Sequence, residues 1–259
     1  MKTDQIEIAA QSLLKARLNR YQIDSLPAEC VPTNVDEAYA IQDRLHNLLD
    51  ESVAGWFLGC TNDEALERLN ANGPYSARLF KKDLFEAPIQ FAHDHFFDIW
   101  IDCEFAFELA YDLPTRSISY KPEEIMDAVI SVYPAIEVVN GYLRNWQQQP
   151  IGAIMADNGT DGALILGSAC HRDCAKELRE VRVTAYRNGK IAATGSGADV
   201  LGDPWTTMTW LANEQSRRGH GLKAGNINNT GSCTKPFHAT IGDTIVADYA
   251  SLGRVEVKF

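Results

Sequence analysis

Residues 100–109 read WIDCEFAFEL, and how this stretch divides between two faces decides the fold. Side chains alternate across a strand, so Asp102, Glu104, Ala106 and Glu108 share one face while Cys103, Phe105, Phe107 and Leu109 share the other. An acidic row of this kind fits a solvated outer face, since carboxylates are mostly exposed. It equally fits a strand that delivers carboxylates to a ligand. Glu137 argues for the ligand, because it lies in PAIEVV at 134–139, an apolar run where a charge is costly to bury unless paired or bound to a metal. Three acidic oxygens converging from two strands suit a hard cation such as Mg²⁺ or Mn²⁺, which keeps open positions for water and substrate.

Outward from this stretch, short apolar runs recur between Gly, Pro, Asn and Asp punctuation: GWFLGCT from 55, GALILGSA from 162, RVTAYRNG from 182, TIVADY from 244 and RVEVKF from 254. They read as strands of a large sheet assembly. RNGK at 187–190 carries the Asn-Gly hairpin signal, and FAHDHFF places His93 and His95 on one face of a further apparent strand. Two helices interrupt the strands. One opens at Pro122 and runs to near Tyr133, ahead of Pro134; the other is capped by Asp203, has Pro204 at its first position and ends before Gly219 and Gly221.

Upstream, residues 4–20 put Ile6, Ala9, Leu13, Ala16 and Leu18 close to a 3.6-residue repeat, which predicts an amphipathic helix. After SLPAECVPT a second helix follows, with Asn34 as N-cap, Glu37 at its third position and Tyr39, Ile41, Leu45, Leu48 and Leu49 as apolar positions. The expected plan is α+β: a helical N-terminal lobe over 1–54 and a β-rich, largely closed mixed-sheet body over 55–259 that carries the site, acting as one functional unit.

A chain of 259 residues with 45% hydrophobic composition can bury one large core. The formal net charge of −11 and pI near 5.0 disfavour nucleic acid and anionic membrane surfaces, leaving a small ligand or a protein as partner. No stretch approaches the roughly 20 apolar residues of a membrane span, and MKTDQIEIAAQ is acidic where a signal peptide is basic, so a cytoplasmic location is expected. Six cysteines without a C-x-x-C pair read as reduced thiols, and CHRDC at 170–174 lacks the second pair that a zinc site needs.

Taken together and in order, several segments give the chain a specific resemblance. They are DEAYAIQ, GWFLGCT, DCEFAF with LAYDLP, PAIEVV, ADN at 156–158, ATGSGADVLGDPWTTMTWLAN, LKAGNINNTGS and GDTIVADYASLGRVEVKF. The chain resembles the 2-hydroxypentadienoate (2-keto-4-pentenoate) hydratase and 4-oxalocrotonate decarboxylase branch of the fumarylacetoacetate hydrolase superfamily. The resemblance implies a β-roll body of that type and a homo-oligomer. It also implies a divalent cation, Mg²⁺ or Mn²⁺, held by Asp102, Glu104 and Glu137, with the carboxylate and 2-oxo or 2-hydroxy oxygens of a small acid completing its coordination. The cation would act as a Lewis acid on the enolate formed along the path. Thr230 and Ser232 stand at substrate-binding positions and Gly195–Gly197 near the site, each equally readable as turn residues.

The departures from the family are informative. Phe57 stands where the family has a lysine thought to act as acid or base, Asp102 replaces a glutamate, Gly141 and Tyr142 replace a Ser-Arg pair, and Ala77 alters the Gly-rich turn before the LF segment. Phenylalanine cannot move a proton, so the base is unidentified, with Lys81, Lys82, His93, His95 and Tyr142 as candidates. The expected activity is that of a lyase, a hydratase or decarboxylase of a 2-oxo or 2-hydroxy-dienoic acid. The rivals are an acylpyruvate carbon–carbon hydrolase and a catalytically impaired homologue that binds an acid ligand or supports a partner subunit.

Overall fold

The structure is a computed structural model that describes residues 1–175 and 177–259. Six α-helices are present among the described residues: α1 (Thr3–Leu18), α2 (Val35–Leu49), α3 (Asp63–Arg68), α4 (Pro122–Ala128), α5 (Ile151–Ala156) and α6 (Pro204–Arg217). Helix α1 buries Ala9, Ala10 and Leu13 with Ile41 and Leu45 of α2, whereas Leu18 points to solvent instead of joining that stripe. Asn34 caps α2 by accepting from the Glu37 N–H, and Asp203 caps α6 by accepting from the Trp205 N–H. Leu143, Ala153 and Ala156 complete the cluster under α1 and α2, so the N-terminal helices share their core with α5.

The strands are β1 (Val53–Gly59), β2 (Tyr75–Phe80), β3 (Leu84–Glu86), β4 (Ile89–Gln90), β5 (Ile99–Leu109), β6 (Val129–Val139), β7 (Ala163–Leu166), β8 (Cys170–His171), β9 (Arg182–Arg187), β10 (Lys190–Ser196), β11 (Ile227–Ser232), β12 (Phe237–Ala239), β13 (Thr244–Asp248) and β14 (Arg254–Lys258). One sheet runs β2-β1-β11-β5-β6-β7-β3, with β12 on β5 and β8 on β6; the other runs β10-β9-β13-β14-β4. Pairing is mixed: β1–β11, β3–β7 and β4–β14 are parallel and the remainder antiparallel. The α+β class expected from sequence is what the chain adopts.

Between the sheets lies the main core, where Cys103, Phe105, Phe107 and Leu109 of β5 meet Ile245 and Ala247 of β13 and Val255 and Val257 of β14. The apolar face of WIDCEFAFEL therefore points inward as alternation requires. The acidic face is not a solvated one, because Glu104 is 1% and Ala106 0% exposed. Asn188 and Gly189, both at positive φ, make the two-residue turn between β9 and β10.

Two sequence expectations fail here. The helix from Pro122 ends at Ala128 rather than near Tyr133, since Val129, Ile130 and Val132 are β-branched and Val129 and Val132 pair with Leu109 and Phe107 of β5. His93 and His95 lie in a turn and not on a strand. Among the described residues no helix is long and apolar enough to cross a membrane.

Candidate metal centre

Strand β5 carries Asp102 and Glu104 on one face, and antiparallel pairing sets Glu137 of β6 directly opposite Asp102. The three side chains offer carboxylate oxygens within 4.8 Å of one another. Strand β11 walls the other side of Glu104. Its register shifts between Asn229 and Ser232, and that irregularity turns the Gly231 N–H onto Glu104 Oε2 at 3.0 Å. Gly231 has φ +78°, and a Cβ there would come within 2.0 Å of Thr61 Oγ1, so only glycine serves. Asn229 is wholly buried: its Oδ1 accepts from the Leu58 N–H at 2.9 Å, and its Nδ2 donates to Glu137 Oε2 at 3.3 Å.

Without a counter-charge the three acids resist ionisation. Burial pushes Asp102 up to about 7, opposed by the positive charge of Arg68. Burial, and then the neighbouring Glu137 charge, hold Glu104 well above the ordinary carboxylate range. Glu137 is raised by its own burial and by the charges of Asp102 and Asp161. Asp102 Oδ1 is buried with no hydrogen-bond partner among the described residues, an arrangement that proteins otherwise avoid. An all-oxygen, anionic donor set with an orphaned oxygen fits a hard divalent cation.

The centre opens into a cavity of about 60 Å³. Tyr75 forms part of its wall, lying so close over Gly59 that a Cβ there would meet the ring at 2.2 Å. Its phenol stays protonated because burial, and the charges of Cys60, Glu137 and Asp102 after it, raise its pKa. The Asn158–Thr160 turn contributes Gly159 and Thr160 to the wall. Helix α1 holds that turn through Arg17, whose guanidinium donates to Asp161 at 2.6 Å and to Asp157 at 2.9 Å and stacks on Tyr142 with 4.5 Å to the ring centroid.

The site residues singled out in the sequence are distributed unevenly. Asp102, Glu104, Glu137, Ser232 and Phe57 line the cavity. Thr230 does not: it is fully buried, donates its hydroxyl to the Gly231 carbonyl and accepts from the Phe105 N–H. Gly195 and Gly197 pack against the Cys233 and Leu178 backbones away from this wall. None of the five candidate bases reaches it. Lys82 pairs with Glu51, His93 is exposed beside Asp94, His95 packs on Phe91 and Phe96, and Tyr142 lies under Arg17. Sequence reading passed over Asn229, Tyr75, Arg68 and Trp146. Asn229 lies within the recognised LKAGNINNTGS segment, but nothing in local spacing marks the other three.

The fumarylacetoacetate (FAA) hydrolase C-terminal family matches residues 88–259, the segment carrying all three acids and β11. The chain belongs to the fumarylacetoacetate hydrolase family. Within it, the chain is 30% identical over 266 residues to a 2-keto-4-pentenoate hydratase of Paraburkholderia xenovorans (strain LB400), covering 100% of this chain and 96% of that one. To the 2-oxo-hept-4-ene-1,7-dioate hydratase of Escherichia coli it is 29% identical, covering 97% of each. Its fold matches that of 4-oxalocrotonate decarboxylase from Pseudomonas putida G7, complexed with magnesium and adipate, at a TM-score of 0.90 and 22% identity over 100% of this chain and 98% of the other. The sequence resemblance and the fold expected from it thus hold. Phe57, found where the resemblance implies a lysine, is 4% exposed and packed with Ala77, Ala106 and Ala135.

Proposed function

We propose that the chain is a divalent-metal-dependent lyase, a hydratase or decarboxylase of a small 2-oxo or 2-hydroxy-dienoic acid. Supporting this reading is the convergence of three carboxylates within 4.8 Å, one of whose oxygens is buried without a partner. Asp102, Glu104 and Glu137 would hold the cation, Mg²⁺ or Mn²⁺. When bound, it supplies Lewis-acid polarisation of the substrate oxygens beside the reacting carbon. The Asn229 amide and Gly231 N–H fix the orientation of two of the three carboxylates. Ser232 presents a hydroxyl beside Asp102, and Phe57, Val139 and Trp146 keep the wall apolar. With Phe57 unable to exchange protons, Tyr75 Oη is the ring hydroxyl on the wall that holds one.

The relatives divide between an acid with one carboxylate, 2-keto-4-pentenoate, and one with two, a 1,7-dioate. Six free cysteines fit a reducing, cytoplasmic setting, and a homo-oligomer is carried over from the resemblance; sedimentation velocity would read the assembly. Hydration of 2-hydroxypenta-2,4-dienoate, decarboxylation of 4-oxalocrotonate and acylpyruvate cleavage, each assayed with and without Mg²⁺, test the proposal. Turnover indifferent to metal rejects it. Phe57, standing where the resemblance leads one to expect a lysine, favours one second reading, an impaired homologue that binds an acid ligand. Metal-dependent oxalate binding without turnover of any of the three substrates would establish that alternative.

A further inference from the structure

Among the described residues four acids line the cavity, Glu64, Asp102, Glu104 and Glu137, together with a single basic side chain, Arg68. Arg68 ends α3, exposed, with its guanidinium carbon 5.8 Å from the centroid of the Trp146 ring. Glu64, one turn earlier on the same helix, is already paired with Lys235 at 3.3 Å. Among the described residues no carboxylate forms an ion pair with Arg68, whereas Arg17, Arg44, Arg78, Arg116 and Arg218 all have one. An unpaired guanidinium laid on an indole face is held in place by the ring while its fork of N–H donors stays free.

The charge balance of the site says what that fork is for. Three carboxylates around a divalent cation leave a net negative charge, and the first carboxylate of a bound 2-oxo acid adds another. A second carboxylate on the same molecule would be repelled unless a cation stood at its far end. Arg68 is that cation, and a guanidinium can grip a carboxylate through two parallel hydrogen bonds. We propose that Arg68, held on Trp146, receives a second carboxylate at the end of the substrate remote from the acid trio, so that the site takes dicarboxylic rather than monocarboxylic 2-oxo acids. The assignment rests on the acid-binding reading given above and adds the substrate class to it.

Calorimetry on the full chain loaded with Mg²⁺ tests it, using oxalate, 2-oxopentanoate and 2-oxoadipate as probes. Oxalate engages only the metal end, and the two oxo acids differ in the terminal carboxylate. The wild type should bind 2-oxoadipate about 10- to 100-fold more tightly than 2-oxopentanoate, the usual worth of a charge-assisted pair. Arg68→Gln should bring the two within about threefold while leaving oxalate unchanged, and Arg68→Lys should keep part of the preference. Equal affinities in the wild type, or a preference that survives Arg68→Gln, overturn the assignment while oxalate binding preserves the metal-site reading. Failure of oxalate to bind overturns both. Arg68 is exposed, so its variants keep the fold, which circular dichroism verifies.

Discussion

Asn229 reaches the metal centre from one strand over, its side-chain amide donating to Glu137 Oε2 while the same side chain accepts from the Leu58 N–H of β1. One carboxamide thus fixes a candidate ligand on β6 to a strand three places across the sheet. Asn229→Ala should weaken Mn²⁺ binding by about 10- to 100-fold, the usual effect of losing a group that orients a ligand. It should also lower stability by about 1–3 kcal/mol through the unsatisfied Leu58 N–H. Calorimetric titration with Mn²⁺ and a urea melt read the two effects separately.

Glu104→Gln combined with Glu137→Gln removes two of the three charges and should abolish Mg²⁺ and Mn²⁺ binding. In metal-free buffer the same double variant should melt above wild type, because the buried like charges are gone. Unchanged Mn²⁺ affinity in the double variant would reject the ligand assignment.

The raised pKa values of Asp102, Glu104 and Glu137 set the sign of the pH dependence. A carboxyl whose folded pKa lies above its unfolded value contributes stability below the unfolded pKa and loses it as pH rises through the folded one. Metal-free protein should therefore lose Tm between about pH 4 and pH 8. Saturating Mg²⁺ should flatten that decline, since the bound cation favours the ionised acids. Scanning calorimetry across this range in EDTA and in Mg²⁺ checks it, and parallel curves would contradict the electrostatic account.

Arg17 is 8% exposed at its side chain and neutralises Asp157 and Asp161, which are 0% and 3% exposed. Arg17→Met strands two buried carboxylates, which should cost about 3–5 kcal/mol, a fall in Tm on the order of 10 °C. The deficit should shrink at pH 5, where protonation relieves the stranded acids. Equal deficits at pH 5 and pH 8 would point to lost packing instead.

Phe57→Lys places a proton-carrying group at the position where the sequence resemblance leads us to expect one. Wild type should hydrate 2-hydroxypenta-2,4-dienoate weakly, and the variant should gain rate toward the roughly 10²- to 10⁴-fold that a positioned acid or base contributes. Burial will depress the new ammonium's pKa, so the gain should be read from a pH–rate profile. If wild type already turns over at about 1 to 10³ per second, another group carries the proton.

The acid trio was legible because a strand has a period of two and Glu137 interrupts an apolar run; both signals are local. The caps of α2 and α6 and the Asn-Gly hairpin were legible for the same reason. What local pattern missed was decided by distant partners. Val129–Val132 became strand because β5 was there to pair with, and the cavity wall took Arg68, Tyr75 and Trp146 from three separate segments. Thr230, within a recognised motif, turned its hydroxyl onto the backbone because β11 is buried along its whole length.

Strand β11 sits in the middle of its sheet, between β1 and β5, yet Asn229 follows its β1 contact Leu58 by 171 residues. During synthesis, β1 and β5 leave the ribosome long before the strand that joins them, and each waits with a row of unpaired backbone groups. Closing so distant a pairing is slow, and open edges of this kind recruit other chains. The nascent protein is thus vulnerable for as long as that central strand has not been inserted. A chain cut short before Ile227 should aggregate instead of folding to a smaller version of itself, which makes the synthesis of β11 the step up to which chaperones matter most.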